Sequence, residues 1–161
     1  MATTHLATYL NDHLAGSVAA IDLMERIERK HAGDPIGAVV ARVRADVIAD
    51  RQELESIIAR LHLAQSAPRK AVAWLGERVA QLKLALDDPS DGALRLFESL
   101  EAIALGLEGK NALWHALAAT APEVPALQGV GYDQLIARGH DQRSAIEPAR
   151  LDAARAAFVE P

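Results

Sequence analysis

The feature that most limits what this chain can fold into is a series of long apolar stripes at helical spacing, separated by short breaks rich in proline, glycine and aspartate. Apolar residues recur at alternating intervals of three and four along residues 3–31, 35–62, 67–86, 91–119 and 132–158, and no stretch alternates at two. Such a repeat lines up one face of an α-helix, so the chain is expected to be all-α.

The first segment sets Leu6, Leu10, Leu14, Ile21 and Met24 against Asn11, Asp12, Asp22, Arg26 and Arg29. Gly33 suits a helix C-terminus, and Asp34-Pro35 supplies a cap and a first-turn proline for the next helix. The second segment carries Val40, Val43, Val47, Leu54, Ile57 and Leu61. Ser66 and Pro68 open a third, with Val72, Leu75, Val79, Leu82 and Leu86, and Ser90 or Asp91 caps the fourth. After two prolines and two glycines in residues 121–131, a fifth segment follows, interrupted by Pro148, which must kink that helix or start a new one. Its apolar pattern is less tidy, so it is expected to pack at the periphery or to form an oligomer contact.

The first three connections are only about four to six residues long, as helical hairpins prefer. The expected architecture is an antiparallel up-and-down four-helix bundle with an additional C-terminal helix, one domain over residues 1–161, ferritin-like in the broad sense. The long crossover of ferritins cannot be made by the few residues around Ser66.

Composition narrows the function classes. Apolar residues make up 50% of the chain and aromatics only 4%, so the core must be Leu, Ala, Val and Ile. Cysteine is absent, which removes disulfides, thiolate zinc sites and cysteine nucleophiles together. A net charge of −5, with no dense basic run, offers nothing to a phosphate backbone, so no nucleic-acid partner is expected. No basic leader and no run of about 18 apolar residues is present, which points to a soluble, cytoplasmic protein without a membrane partner. There is no glycine-rich phosphate loop, no Gly-x-Ser-x-Gly elbow and no His-Glu-x-x-His. Ser17 stands near His13 on one helix, but no oxyanion donors accompany them, and no catalytic residue is assigned. Trp74 and Trp114 border apolar stripes and read as core or interface fillers.

Polar residues on apolar faces are the informative exceptions. Glu101, Glu108 and His115 repeat at seven-residue spacing on the arc shared with Leu94, Phe97, Leu100 and Ala104. Asp50 interrupts the second stripe, flanked on the wheel by Val43, Val47, Leu54 and Ile57, and should point inward. His13 lies mid-stripe beside Ser17. With aligned midpoints and 1.5 Å rise per residue, His13, Asp50 and Glu108 fall within roughly one turn of the same depth. Two readings follow. In one, these three bind a metal in the bundle interior, where imidazole and carboxylates suit iron, manganese or zinc. The paired Glu-x-x-His signature of di-metal bundles is lacking: the one literal match, Glu28 to His31, is at a helix end, and after Glu108 the histidine position is Asn111. In the other, His13, Ser17, Asp50, Arg78, Glu101, Glu108, Asn111 and His115 form a buried network that neutralises itself and fixes helix register. The network is the leading reading, in a protein that acts by association with itself, as a dimer, or with another protein.

The runs Tyr9-Leu10-Asn11-Asp12-His13-Leu14-Ala15-Gly16-Ser17, Ala73-Trp74-Leu75-Gly76-Glu77 and Glu108-Gly109-Lys110-Asn111-Ala112-Leu113-Trp114 resemble a family of uncharacterised bacterial all-helical proteins. That resemblance implies the same fold over nearly the whole chain and brings no activity with it. A looser similarity, to the ferritin-like bundles, rests on the inward carboxylates and histidines.

Overall fold

The computed structural model describes residues 2–63 and 92–159. Four long helices make up nearly all of this: α1 (Ala2–Lys30), α2 (Pro35–Arg60), α3 (Gly92–Thr120) and α4 (Tyr132–Phe158), with a single 3₁₀ turn at Pro125–Leu127. Among the described residues there is no strand, and the fold is an all-α bundle. The expected helix at 67–86, with Trp74 and Arg78, lies outside the described residues.

The helix ends follow the local chemistry. Arg29 and Lys30 close α1, where cations oppose the negative end of the helix dipole. Gly33 then takes a left-handed φ of 92°, extended Asp34 stands at the cap position, and Pro35 begins α2. The turn is tight because Gly37 has no side chain: a Cβ there would sit 2.2 Å from the His31 carbonyl oxygen. At the other end, the buried Tyr132 hydroxyl donates to the Leu127 carbonyl at 3.0 Å and ties the 3₁₀ turn to the start of α4. Pro148 neither breaks nor restarts α4, which is one helix from Tyr132 to Phe158. Pro148 and Ser144, whose carbonyl it leaves without an N–H, are both exposed, where water replaces the lost bond.

The helices pack as a ring in the order α1, α2, α4, α3. Every neighbour is antiparallel. Arg60, near the end of α2, reaches Gln128 just before α4 begins, while Leu10 of α1 shares a cluster with Leu113 and Trp114 late in α3. The C-terminal helix is therefore no peripheral addition. It lies along α3 and against α2 as a full member of the bundle.

The core falls into two apolar halves. Leu23, Ile27, Val43, Leu100, Ile103 and Ile146 pack at one end, and Leu10, Ile57, Leu113, Trp114, Leu127 and Leu135 at the other. The sequence positions between the halves are the polar ones: His13 and Ser17 in α1, Asp50 in α2, Lys110 and Asn111 in α3, Arg138 and Gln142 in α4. A polar layer thus crosses the bundle near mid-height.

Candidate functional site

Asp50 is the centre of that layer, with 1% of its surface exposed. Its Oδ1 accepts from Arg138, through Nε at 2.7 Å and also through Nη2. Its Oδ2 accepts from Gln142 Nε2 at 3.0 Å and from the Lys110 ammonium, which donates to Gln142 Oε1 as well. Gln142 is as buried as Asp50, at 1%, so its amide has both ends engaged inside the bundle. Burial pushes the Lys110 ammonium below its ordinary range, and the adjacent Asp50 carboxylate works against that shift. Two cations share one carboxylate.

A neighbouring contact joins the same two helices. Asn111 is buried and its Nδ2 lies 3.3 Å from His140 Nε2, while Gly139 passes so close that a Cβ there would be 2.5 Å from Asn111 Oδ1. The backbones of α3 and α4 approach at this point because glycine permits it.

Beside the polar layer is a cavity of about 420 Å³ bounded by α1, α2 and α3. Its walls are mostly apolar, with Leu23, Met24, Val47, Leu54 and Leu107 among them, and Asp50, Lys110 and Trp114 line it too. Gly16, Gly106 and Gly109 border it with nothing among the described residues within 4 Å of where a Cβ would be. His13 also lines the cavity, stacked edge-on against Tyr9 with ring centroids 4.7 Å apart. Burial holds its imidazole below the ordinary value of 6.5, against the opposing pull of Asp12. Ser17 Oγ donates to the Leu14 carbonyl at 2.6 Å, so this hydroxyl is spent on its own helix.

The other expected members of the network stand elsewhere. Glu108 is exposed, its side chain 58% accessible, and meets Arg143 Nε at 3.4 Å. Glu101, 47% accessible, meets Arg150 Nη1 at 3.5 Å, and His115 is exposed. The expected burial of these three is corrected, and the reason is geometric. The buried arc of α3 is centred on Leu100, Ile103, Leu107 and Trp114, and the Glu101, Glu108, His115 stripe runs along its edge. In an antiparallel helix pair such an edge faces the partner's flank. There Arg143 and Arg150, themselves seven apart, complete an ionic seam with Glu147 between them. Glu147 is held down to about 2 by hydrogen bonds from Arg150 and Arg143.

His13, Asp50 and Glu108 are consequently not one cluster. His13 and Asp50 line the same cavity, and Glu108 points away from it. This donor set does not fit a metal ion: both oxygens of Asp50 already accept from cations, whose charge would repel another. Among the described residues no group of three or more His, Asp or Glu is placed to hold a metal.

Lys110, Arg138 and Gln142, the partners of Asp50, are not among the residues expected from the stripes. A signal exists for two of them. Lys110 falls midway between Ile103 and Leu117 in a seven-residue series, and Gln142 follows Leu135 by seven and precedes Ile146 by four. Compared with known protein families, curated proteins and solved structures, the chain matches none. No described helix is long and apolar enough to cross a membrane.

Proposed function

We propose that this chain is a non-catalytic binding protein that takes an apolar guest into the cavity between α1, α2 and α3. The observation that carries the reading is the cavity itself. Its volume of about 420 Å³ lies within the range of small-molecule pockets, its walls are apolar, and a few polar groups converge at one place in it. A binding role also suits the polar residues present, because the Ser17 hydroxyl and the Asp50 carboxylate are committed to internal bonds. The test is the uptake of a neutral, environment-sensitive dye such as Nile red by wild type and by Gly106→Leu. Among the described residues nothing lies within 4 Å of a Cβ at Gly106, which borders the cavity, so a leucine there takes up cavity space. Dye binding should be lost while the helical circular-dichroism spectrum is kept. Undiminished binding by a folded Gly106→Leu protein sinks the reading.

A second reading, association with another copy of the chain, is favoured by exposed apolar residues on α1 and on α3, where Leu105 stands at the rim of the cavity. Leu105 is 66% exposed and Val18 is 40% exposed. Sedimentation velocity of wild type and Leu105→Asp separates this reading from the first, since only a dimer would dissociate.

A further inference from the structure

We propose that the guest of this cavity is an uncharged amphiphile, in chemical class a long-chain alcohol, whose hydroxyl pairs with the imidazole of His13 while its apolar chain fills the remaining space. The inference rests on the binding reading above and adds the chemistry of the ligand.

Most polar groups of the wall are already engaged. Asp50 accepts from Lys110, Arg138 and Gln142, and Lys110 donates to Gln142 as well. Arg51 is paired with Glu55 at 3.0 Å, Asp12 is not without a partner, and the Ser17 hydroxyl donates to the Leu14 carbonyl. Trp114 Nε1 is sealed inside the bundle, where no guest reaches it. His13 is different. It lines the cavity and meets Tyr9 edge-on, yet neither ring nitrogen has a hydrogen-bond partner among the described residues, and neither is sealed off as Trp114 Nε1 is.

Charge decides what this group can meet. Lys110 and Arg138 are balanced by Asp50, which both contact, and by Asp46, which also acts on Lys110, so the polar layer has no surplus of positive charge to offer. On α1, burial pushes the Tyr9 phenol up and the His13 imidazole down, and both directions keep the group uncharged near neutral pH. An ionised guest would give up its hydration without finding a free counter-charge. A neutral imidazole carries one N–H donor and one acceptor nitrogen. A hydroxyl has a donor and free lone pairs, so it answers either nitrogen whichever tautomer is present. Val47, Leu54 and Leu107 supply apolar surface for the chain of the guest.

The experiment is displacement of Nile red from the full chain, near neutral pH, by octanol, chlorooctane, octanoate and octylamine, each below its solubility limit. Burying an unpaired hydroxyl is costly enough that a wall without a partner for it would favour chlorooctane by about tenfold or more. With His13 as partner, octanol should bind at least as tightly as chlorooctane, and each ion should bind at least about tenfold weaker than octanol. His13→Phe, which keeps an aromatic ring beside Tyr9 and removes both nitrogens, should weaken octanol by about fivefold and leave chlorooctane unchanged. Circular dichroism must first show that this variant folds, and the ranking of the four ligands on wild type stands independently of it. A preference for chlorooctane of about tenfold, or tightest binding by either ion, overturns the hydroxyl and leaves the apolar-guest reading intact. So does a folded His13→Phe protein that binds octanol as tightly as wild type. If the dye binds and none of the four displaces it, the alcohol alone is overturned; if the dye does not bind either, both readings fall.

Discussion

Four glycines inside helices give a test of the packing in which one substitution has opposite signs. In α3, Gly106 and Gly109 have nothing among the described residues within 4 Å of an added Cβ. Alanine there keeps only its advantage in helix propensity and its smaller unfolded-state entropy, about 0.8 to 1 kcal/mol at each site. The double change Gly106→Ala, Gly109→Ala should therefore stabilise by roughly 1.5 to 2 kcal/mol, which for a chain of this size raises the melting temperature by about 3 to 8 °C. Gly37 and Gly139 begin with the same advantage and lose it to sterics. A Cβ at Gly37 lies 2.2 Å from the His31 backbone oxygen, so the α1–α2 hairpin must open, and one at Gly139 lies 2.5 Å from Asn111 Oδ1. Overpacking of this kind costs about 1 to 3 kcal/mol, so Gly139→Ala should fall between neutral and about 2 kcal/mol destabilising. Gly37→Ala, which meets backbone and not a movable side chain, should be at least as costly. Urea unfolding followed at 222 nm measures all four, and equal slopes would confirm that midpoint shifts report stability. The reasoning is refuted if alanine at Gly106 or Gly109 destabilises by 1 kcal/mol or more, because the space beside α3 would then be filled, or if Gly37→Ala is neutral.

Further outcomes follow from the polar layer and the seam. Asp50→Ala should destabilise by about 3 to 5 kcal/mol in the same unfolding assay, since it leaves Lys110 and Arg138 without their shared counterion; a loss below 1 kcal/mol would show that water already solvates them. Burial lowers the pKa of His13 in the folded state, so the unfolded chain takes up its proton first. Stability is thus full above the ordinary value of 6.5 and declines as pH falls through the window below it, and His13→Gln should flatten that slope in melts between pH 7.5 and 5. Glu101→Gln together with Glu108→Gln should cost no more than about 1 kcal/mol for each exposed pair, and the cost should shrink in 1 M salt. An effect of several kcal/mol would place these carboxylates inside the bundle.

Most of the helical layout was legible because a 3.6-residue repeat leaves little choice over long segments. The expected spans 35–62 and 132–158 compare with Pro35–Arg60 and Tyr132–Phe158. Asp50 was legible too, as a charge at the one gap in an otherwise apolar series. What the sequence did not disclose was azimuth. α3 is apolar on most of its circumference, with Leu105 66% exposed, so its buried face has no clear edge in sequence, and the seven-residue glutamate stripe reads as interior. Nor did it disclose pairing. Arg138 and Gln142 gain their meaning only from the register that sets α4 beside α2, which depends on contacts between distant segments. The buried positions of α4 include Gly139, Gln142 and Ala153, which weaken its apolar pattern and made an integral helix look peripheral.

The placement of Asp50 also bears on the order in which the chain can fold. Its partners come 60, 88 and 92 residues later in the sequence. During synthesis α1 and α2 emerge first, and their hairpin carries a carboxylate in the middle of its apolar face with none of those partners yet made. Any early compact state that buries this face strands an ion, so the charge discourages collapse around the first half of the chain. Once α4 is available the same group favours docking in one register only. A contact so late in sequence closes a long loop, which slows folding but makes completion of the bundle depend on the last helix. A chain cut short before Arg138 would lack two of the three partners of its own central carboxylate and would remain open to chaperones and proteases.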